Sequence, residues 1–420
     1  MKVCVIGNGG REHALAWRLS ISPSVTKVYA IPGSAAMSDC AELVGIDWQQ
    51  SDHLIRFLKD NHVDLVVVGP ETPLVAGLAD ALNAAGIPVF GPSKAAAQLE
   101  GSKVFAKDLM KKYNIPTAAY GVFHNVDEAK EFIAQTGAPI VVKADGLAAG
   151  KGVVVAMTVE EANAAVEDML SGNRFGDAGS TVVIEEFMEG EEASLLAFVD
   201  GKTVVPMIAS QDHKRIFDGD KGPNTGGMGT YAPAPVLTDT LRDEAMKTIL
   251  EPMVAAMQKE GMPYVGCLYA GLMITPQGPK VVEFNARFGD PETQVVLPLL
   301  DSDLGQIMMA SATGNLTADM VKWKDSSAAC VILASKGYPE TSSKGDVIHG
   351  DIKQHDTTIV FHSGTKLVGE EYVTNGGRVL GVVGLGKDLR TALDRAYGRI
   401  EHINFEGMQY RTDIGAKAFK

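Results

Sequence analysis

The segment 281–294 carries several polar side chains, with a carboxylate, an amide and a guanidinium at alternate positions. On an extended strand, Glu283 and Asn285 are two residues apart and therefore point to one face. Two hard oxygen ligands in this arrangement, completed by polyphosphate and water, suit Mg2+ far better than Zn2+. Arg287 lies on the same face and offers a fork for a carboxylate or a phosphate. The alternative is a solvated sheet face without chemistry, which the polar cluster that follows makes less favourable.

A glycine turn at residues 7–10, with the sequence Gly-Asn-Gly-Gly, leaves an apolar strand and opens a helix. Free backbone N–H groups and the positive end of the helix dipole make such a turn an anion site. The dinucleotide fingerprint fails because Glu12 occupies the position of its third glycine and no acidic residue ends the second strand. The turn therefore predicts the phosphate of a molecule other than NAD, and the alternative is a tight turn without a ligand.

A second glycine-rich loop spans residues 145–152, between apolar strands at 139–143 and 153–156. It is not a P-loop, because a glycine rather than Ser or Thr follows Lys151 and a strand rather than a helix comes next. A flexible hairpin that folds over polyphosphate, with Lys143 on the preceding strand to hold the charge, fits the pattern better.

The segment 184–194 places five carboxylates in eight positions just after an apolar strand. Like charges at this density repel one another unless they find donors, cations or water. A solvated acidic turn is one interpretation. The chemical interpretation is that Glu185 and the backbone at Phe187 face a nucleobase, while Glu192 accepts hydrogen bonds from ribose hydroxyls.

Polar residues also stand at two further strand ends. The sequence Gly-Pro-Glu at 69–71 ends the third strand of the first region, where a substrate contact is expected. Residues 210–215 follow an apolar strand and precede a glycine-rich loop at 221–229. His13 follows the glycine turn at 7–10 and His213 stands in the segment 210–215, but a satisfied structural histidine is the commoner case, so neither is predicted to act as a base.

Composition and charge exclude several classes of function. The 420 residues are 45% hydrophobic and 21% charged, which is average globular usage, and the length predicts about three domains. Lys plus Arg number 38 against 52 Asp plus Glu, and the net charge of −14 makes nucleic acid an unexpected partner. Four isolated cysteines favour a reduced compartment, and the sequence lacks the run of about 18 apolar residues that spans a membrane. We therefore expect a soluble, cytoplasmic protein.

The first hundred residues alternate short apolar strands with helical spacing, which predicts a doubly wound parallel sheet. The predicted strands are 3–6, 25–31, 64–68 and 88–90, with helices at 11–20, 51–62 and 72–86. A helix-like run at 93–112 leads into a second region, where consecutive strands predict an antiparallel sheet. These strands are 181–188, 193–199 and 203–209, followed by an amphipathic helix at 238–260 and a hairpin of 267–275 with 280–284.

A third, small region is rich in strand patterns. Its predicted strands are 328–334, 358–362 and 378–383, and its one clear helix is 389–402. The predicted fold is therefore α/β and α+β. It consists of a parallel-sheet N-terminal domain (1–101), a mixed core (102–320) and a small β-rich C-terminal domain (321–420).

Taken together, these motifs resemble the phosphoribosylamine–glycine ligase (glycinamide ribonucleotide synthetase) family of ATP-grasp enzymes. The resemblance covers essentially the whole chain, and its most specific stretch is Asn-Ala-Arg-Phe-Gly-Asp-Pro-Glu-Thr-Gln at 285–294. The segments 7–14, 69–71, 143–152 and 211–215 are also similar to the family pattern. Two alternatives are another ATP-grasp ligase, such as a biotin-type carboxylase, and a regulatory protein that senses ATP without turnover.

The resemblance implies a preATP-grasp first domain, an ATP-grasp core and a small C-terminal domain packed back on that core. It implies that ATP, glycine and 5-phosphoribosylamine react through glycyl phosphate to give N1-(5-phosphoribosyl)glycinamide, ADP and phosphate. This reaction belongs to de novo purine synthesis. The chain is expected to use Mg2+ or Mn2+ and to work as a monomer.

The resemblance also implies roles for residues of this sequence. Metal ions would lie on Glu283 and Asn285, and the nucleotide would contact Lys103, Lys143, Gly150, Lys151, Gly152, Glu185, Glu186, Phe187 and Glu192. Phosphoribosylamine would lie against Gly9, Gly10, Arg11, Glu12, Pro70 and Glu71. Arg287 is the candidate for the glycine carboxylate and the acyl phosphate, with Asp212, Lys214 and Asp290 completing the catalytic set.

Overall fold

The computed structural model describes residues 1–148, 150–172 and 174–420. Its N-terminal region is the parallel sheet that the alternation of strands and helices predicts. The elements are β1 (Lys2–Gly7), α1 (Gly10–Ser20), β2 (Lys27–Pro32), β3 (Glu42–Leu43), α2 (Ser51–Asp60), β4 (Leu65–Val68), α3 (Glu71–Ala76), α4 (Leu78–Ala84) and β5 (Val89–Phe90). The predicted helix 72–86 is divided at Gly77, whose φ of +95° is readily adopted only by glycine.

The strand order of this sheet places two loops at one crevice. Strand β1 lies in the middle of the order β3-β2-β1-β4-β5 and pairs in parallel with β2 and β4. Loops that leave the carboxyl ends of two such neighbouring strands meet at the point where the strand order reverses. These loops are the glycine turn after β1 and the Gly-Pro-Glu segment after β4.

The second region begins with two short helices and a small antiparallel sheet. Its elements are α5 (Gln98–Gly101), α6 (Lys103–Lys112), β6 (Tyr120–Phe123), α7 (Val126–Thr136), β7 (Ile140–Ala144), β8 (Val153–Ala156), α8 (Val159–Ser171) and β9 (Val182–Glu186). The predicted helical run 93–112 is interrupted at Ser102, whose Oγ caps α6 by accepting a hydrogen bond from Phe105 N. The glycine-rich loop 145–152 joins the antiparallel strands β7 and β8, as the sequence predicts.

The prediction that the consecutive strands 181–188, 193–199 and 203–209 form one antiparallel sheet is confirmed for the last two and is wrong for the first. Strand β9 is hydrogen-bonded on one edge to β6 and on the other to β7, so it has no free edge for the next strand. The chain therefore passes into a second antiparallel sheet, in which the strand order is β11 (Val204–Pro206), β10 (Glu191–Asp200), β16 (Val265–Thr275) and β17 (Gly278–Asn285).

The second sheet and the segments around it complete the middle region. The elements are β10 (Glu191–Asp200), β11 (Val204–Pro206), β12 (Gln211–Asp212), β13 (Arg215–Phe217), β14 (Lys221–Asn224), β15 (Gly229–Ala232), α9 (Asp239–Ala245), α10 (Glu251–Lys259), β16 (Val265–Thr275), β17 (Gly278–Asn285), α11 (Thr293–Val296) and α12 (Leu304–Thr313). One π-helical turn, Met246–Leu250, joins α9 to α10, so the predicted helix 238–260 is continuous. The predicted hairpin is β16 with β17.

The C-terminal region contributes most of another antiparallel sheet, which has five strands. Its elements are β18 (Ser327–Ala334), β19 (His349–Gly350), β20 (Thr358–His362), β21 (Thr365–Val368), β22 (Glu371–Thr374), β23 (Arg378–Gly386), α13 (Leu389–Ile400) and β24 (Ile403–Asn404). The sheet has the order β12-β15-β18-β23-β20, so two strands from the middle region extend it. This shared sheet brings residues of the C-terminal region beside segments 211–232.

Apolar packing holds the first and second regions together. Phe90 at the end of β5, Phe198 on β10 and Phe288 after β17 form a triangle of ring contacts with centroids 6.0–6.3 Å apart. All three rings are buried, and buried aromatic side chains contribute much of the packing energy of a core. The contact fixes the segment that follows Asn285 against the first sheet.

Candidate active site

A cavity of about 820 Å3 lies where the three regions meet, and most of the predicted site residues line it. Those in its wall are Arg11, Glu71, Lys103, Lys143, Gly150, Gly152, Glu185, Glu192, Asp212, Lys214, Glu283, Asn285, Arg287 and Asp290. A large concave site with several convergent polar groups is the usual form of an active site. The fold therefore assembles residues that are separated by up to about 280 positions in the sequence.

The remaining predicted residues lie outside this wall. Among the described residues, Gly10, Glu12, Pro70, Lys151, Glu186 and Phe187 do not line the cavity. Gly9 lines a second cavity of about 480 Å3, between the glycine turn and residues 363–367 of the C-terminal region. The side chain of Glu186 is exposed, and its Oε2 accepts a hydrogen bond of 3.3 Å from Ala119 N.

Glu283 and Asn285 both face the cavity from β17, as their spacing predicts. A bulge shifts the register with β16 beside Glu283, and Gly271 lies opposite, which leaves room for the glutamate side chain. Burial alone would raise the pKa of Glu283, but Lys143, Lys214 and other nearby cations lower it. The carboxylate is therefore charged at neutral pH.

The donor set fits a hard cation that takes most of its ligands from elsewhere. Within the described ranges, no group of three or more His, Cys, Asp or Glu side chains could hold a metal ion by itself. Mg2+ is commonly bound by one or two protein oxygens together with substrate phosphates and water. A charged carboxylate and an amide oxygen in a polar cavity match that mode of binding.

Buried lysines flank Glu185 in the cavity wall. Lys143 Nζ lies 3.0 Å from Glu185 Oε2 and donates a 3.1 Å hydrogen bond to Val282 O on β17. Lys107 Nζ lies 3.4 Å from Glu185 Oε1. Burial lowers the pKa of Lys107 to about 8. The sequence analysis missed Lys107, although its spacing of four residues from Lys103 on a helix could have indicated a shared face.

Lys103 connects helix α6 to the glycine-rich hairpin. Its backbone N–H donates a 2.6 Å hydrogen bond to Asp145 Oδ1, and its Nζ donates one of 3.0 Å to Gly146 O. Burial lowers the pKa of the Lys103 amine. The hairpin that the sequence predicts to cover polyphosphate therefore starts beside a lysine of the cavity wall.

Arg287 is held by two carboxylates, Glu71 and Glu100. Its Nε lies 3.2 Å from Glu71 Oε2, and its Nη2 lies 2.8 Å from Glu100 Oε1. Glu100 also accepts a 2.8 Å hydrogen bond from Ala286 N. Burial alone would lower the pKa of Arg287, but the two carboxylates raise it, so the charge is permanent. Glu100 was missed because its sequence context, in a helix-like run, shows no site motif.

Asp212 and Lys214 form an ion pair in the wall of the cavity. Lys214 Nζ lies 2.8 Å from Asp212 Oδ2. Burial alone would lower the pKa of Lys214, but the Asp212 carboxylate raises it well above its ordinary value. The backbone of Lys214 is fixed as well, because its carbonyl accepts hydrogen bonds from Thr225 N and Thr225 Oγ1 at 2.7 and 2.8 Å.

Asp290 lies beside an arginine that the sequence did not indicate. Arg378 Nη1 donates a 2.9 Å hydrogen bond to Asp290 O and lies 3.5 Å from Asp290 Oδ1. Burial alone would raise the pKa of Asp290, but Arg378 and Arg11 lower it. Arg378 belongs to the β-rich C-terminal region, and only the shared sheet brings it to the site.

Glu12 lies behind the glycine turn and fixes Arg11. Its Oε2 accepts a 2.7 Å hydrogen bond from Gly9 N, and its Oε1 accepts one of 2.6 Å from Arg11 Nε. The glutamate is only 2% exposed and is packed between Gly7 and Gly69, where a Cβ on either glycine would overlap it. The contacts make Glu12 a support for the turn and for the arginine that faces the cavity.

We predict that Gly69→Ala will displace Glu12 and weaken both the turn and the position of Arg11. Introducing a methyl group into such a packed site costs about 1–3 kcal/mol of unfolding free energy. Urea denaturation measures this loss. Gly45→Ala is the matched control, because a Cβ at exposed Gly45 meets no atom within 4 Å. Equal unfolding free energies for the two variants would contradict this description of Glu12.

His13 and His213 are structural, in agreement with the sequence analysis. His13 Nδ1 accepts a 3.0 Å hydrogen bond from His362 N, and His213 Nδ1 lies 3.0 Å from Gly229 O. Burial lowers the pKa of His13 to about 3, and lowers those of His213 and His362 to about 4. All three rings are therefore neutral at pH 7.

We predict that these buried, neutral histidines make the unfolding free energy of the protein fall at acidic pH. A histidine whose folded pKa lies below its unfolded value stabilises the fold fully above about pH 6.5, and this contribution is lost as the pH falls toward the folded pKa. Urea unfolding at pH 7.0 and 5.0 should show a smaller loss of unfolding free energy for His362→Gln than for the unchanged protein. His53→Gln, at an exposed position, is the control and should leave the pH dependence unchanged. An unaltered pH dependence in His362→Gln would exclude this contribution.

Models of one protein family match nearly the whole chain. The phosphoribosylglycinamide synthetase N domain matches residues 1–100, the ATP-grasp (A) domain matches 101–293 and the C domain matches 328–417. A Halalkalibacterium halodurans protein named phosphoribosylamine–glycine ligase is 53% identical over 418 residues, covering 100% of this chain and 97% of the relative. A Neisseria meningitidis protein of the same name is 53% identical over 420 residues, covering 100% and 99%.

Solved structures share the fold. The crystal structure of phosphoribosylamine–glycine ligase from Thermotoga maritima has a TM-score of 0.86 and 34% identity, covering 99% of this chain and 100% of that chain. The biotin carboxylase domain of Hydrogenobacter thermophilus 2-oxoglutarate carboxylase has a TM-score of 0.75 at 17% identity, covering 97% and 91%, which shows the shared ATP-grasp fold alone. The resemblance seen in the sequence is confirmed, and the chain belongs to the phosphoribosylglycinamide synthetase family of ATP-grasp ligases.

Proposed function

We propose that this chain joins glycine to 5-phosphoribosylamine and converts ATP to ADP and phosphate in de novo purine synthesis. The observation that carries the proposal is the cavity in which Arg11 and Glu71 of the first region face the lysines and the Glu283–Asn285 pair of the second. Membership of the family and relatives of the same activity support it. The product would be N1-(5-phosphoribosyl)glycinamide.

The chemistry requires activation of a carboxylate. At neutral pH a carboxylate is a poor electrophile, because its oxide is a very bad leaving group. Phosphorylation by ATP gives glycyl phosphate, whose phosphate can leave when the amine of phosphoribosylamine attacks the acyl carbon. No protein nucleophile is needed, so the contribution of the protein is positioning and neutralisation of charge.

We assign the nucleotide to the second region. Lys103 and Lys143 would bind its phosphates, and the hairpin with Gly150, Lys151 and Gly152 would close over them and exclude water, which would hydrolyse an acyl phosphate. Lys107 adds a third buried amine to the same wall. The base and ribose would lie along the segment of Glu185, Glu186, Phe187 and Glu192.

Glu283 and Asn285 would hold Mg2+ or Mn2+, because both are oxygen donors on the cavity wall and Glu283 is charged. Bound there with ATP, the cation would offset the negative charge of the phosphates. Lys103 and Lys143 would keep those phosphates in place. A test specific to the metal is the dependence of ATP affinity on the concentration of Mg2+ or Mn2+.

Arg287 is assigned to the acyl phosphate. Its two carboxylate partners hold the guanidinium in one position, so it would act as a fixed positive charge at which little reorganisation is needed. Asp212, Lys214 and Asp290 would orient glycine, with a carboxylate of this set accepting from the glycine amino group. The ion pair of Lys214 with Asp212 keeps both side chains at the cavity.

Phosphoribosylamine is assigned to the crevice of the first sheet. Gly9, Gly10 and Arg11 would receive it with Pro70 and Glu71 on the other side, and Glu12 would act through Arg11 and Gly9 N. The N-terminus of α1, an eleven-residue helix, offers backbone N–H groups to a phosphate there.

Three further expectations concern the whole molecule and stay predictions. The division into domains 1–101, 102–320 and 321–420 stays a prediction, as do a monomeric state and a cytoplasmic location. No helix among the described residues is long and apolar enough to cross a membrane. Sedimentation equilibrium of the full chain would measure its oligomeric state.

The proposal is tested by ADP release with Mg2+ and ATP. Glycine and phosphoribosylamine, the latter made in situ from ribose 5-phosphate and ammonia, are added separately and then together. ADP formed only with both present supports the ligase. ADP formed with another carboxylate but without glycine would favour a different ATP-grasp ligase, and ATP binding without any turnover would favour a sensor.

A further inference from the structure

We propose that Arg378 binds an anionic group of an acceptor substrate, either the carboxylate of glycine or the phosphate of phosphoribosylamine. The inference rests on the proposed function for the identity of these two substrates. Arg378 is the first residue of β23, and its side chain reaches the main cavity from the C-terminal region.

One edge of the Arg378 guanidinium is fixed by the protein. Its Nη1 donates hydrogen bonds of 3.0 Å to Gly226 O and 2.9 Å to Asp290 O. Across residues 1–148, 150–172 and 174–420, no protein acceptor takes a hydrogen bond from its Nε or Nη2. The Nε–Nη2 edge of an arginine is a planar two-donor fork that matches a carboxylate or a phosphate. The side chain is thus anchored through Nη1 and offers a fork at the cavity.

Arg287 differs in this respect. Its Nε and Nη2 are taken by Glu71 and Glu100, so an incoming anion would have to displace a carboxylate to reach the same fork. Arg287 therefore supplies fixed charge, whereas Arg378 supplies free donors with the geometry for bidentate recognition.

Gly226 allows the loop backbone to lie against the face of the Arg378 guanidinium. A Cβ added at Gly226 would lie 2.9 Å from the guanidinium carbon, 3.0 Å from Nη2 and 3.1 Å from Nε, and such nearly equal distances place it over the plane of the group rather than in front of the fork. The glycine itself is held in place, because its N–H donates a 3.0 Å hydrogen bond to Tyr338 Oη and its carbonyl accepts from Arg378. The loop that contains Gly226 therefore supports the guanidinium from one face.

Other cations line the cavity that Arg378 reaches, namely Lys214, Lys417 and Arg11. The carboxylate paired with Arg378 is Asp290, whose Oδ1 lies 3.5 Å from Nη1 and so on the anchored side of the guanidinium. The Arg378 side chain is 21% exposed, so an anion bound there would be partly removed from water. Hydrogen bonds to charged groups contribute more under these conditions than at the surface.

The test is equilibrium binding by calorimetry, with ATP, glycine and ribose 5-phosphate as separate probes. We expect Arg378→Gln to weaken the binding of either glycine or ribose 5-phosphate by about 10–100-fold, the loss of a charge-assisted hydrogen bond, and to leave ATP affinity unchanged. Arg378→Lys, which keeps the charge without the fork, should recover part of the loss. The probe that is affected identifies the anionic group as the carboxylate or the phosphate.

Gly226→Ala is the second variant, because its methyl group would press on the face of the guanidinium and displace it without removing its charge. It should weaken the same probe, and it decides the question if Arg378→Gln does not fold. Arg395→Gln is the control, since Arg395 is an exposed arginine of the same region whose Nη1 donates to Leu385 O at 2.7 Å. Folded variants at both positions that bind glycine and ribose 5-phosphate as tightly as the unchanged protein would overturn the proposal. Binding of neither probe to the unchanged protein would instead overturn the proposed function, and with it this inference.

Discussion

Glu283→Gln is expected to lower the rate of glycine-dependent ADP formation by about 10²–10³-fold, a magnitude typical of removing one electrostatic contact to the transition state. The substitution keeps the shape of the side chain and removes its negative charge. The charged carboxylate is the oxygen donor expected for the metal. It is also the negative charge that faces Lys143 and Lys214. The loss should appear as a higher metal concentration for half-maximal activity together with a lower limiting rate.

The matched control for this prediction is Glu244→Gln. Glu244 is an exposed glutamate of α9 beside Gly278, at the opposite end of β17 from the cavity. The activity and metal dependence of the Glu244→Gln variant should equal those of the unchanged protein. A Glu283→Gln variant with unchanged metal dependence would remove Glu283 from the metal site.

Arg287→Ala is expected to lower kcat by about 10²–10³-fold, or roughly 3–4 kcal/mol of transition-state stabilisation. In the proposed mechanism the acyl phosphate gains charge near this guanidinium during phosphoryl transfer, and truncation would leave that charge without a partner. The variant also leaves Glu71 and Glu100 without their cation, and breaking such a buried pair destabilises the fold. Thermal unfolding must therefore accompany the kinetics.

Arg287→Lys separates the two effects, because it keeps a cation between the carboxylates. We expect it to fold as the unchanged protein does, with kcat still reduced and KM for ATP little altered. Arg242→Lys is the control, since Arg242 also pairs with two carboxylates, Asp239 and Asp243, but on an exposed helix. Unchanged kcat in folded Arg287→Lys and Arg287→Ala would remove Arg287 from the reaction.

Local patterns predicted those parts of the site that lie on single strands and turns. The two-residue spacing of Glu283 and Asn285 fixes their common face whatever the rest of the fold does, because side chains alternate along a strand. The glycine turn before Arg11 was predictable for a similar reason, since a strand, a turn and a helix N-terminus are consecutive in the chain. These predictions needed no knowledge of distant contacts.

Contacts between distant segments were beyond the same reasoning. The two edges of β9 are filled by β6 and β7, and neither pairing can be read from the run of strand-like residues that continues into β10. Three residues of the site were not predicted, because each pairs with a residue far away in the sequence. Lys107 pairs with Glu185, Glu100 pairs with Arg287, and Arg378 pairs with Asp290. A buried charge is recognisable only when its counter-charge is known, and the fold supplies that information.

The central claim is that the glycine carboxylate is activated by direct transfer of a phosphoryl group. It is tested most directly with glycine labelled with ¹⁸O in both carboxylate oxygens, unlabelled ATP, Mg2+ and phosphoribosylamine. If glycyl phosphate forms and the amine displaces its phosphate, one labelled oxygen per turnover passes from glycine to inorganic phosphate, which mass spectrometry of the phosphate detects. Inorganic phosphate that carries no ¹⁸O, while the amide product accumulates, would contradict the mechanism.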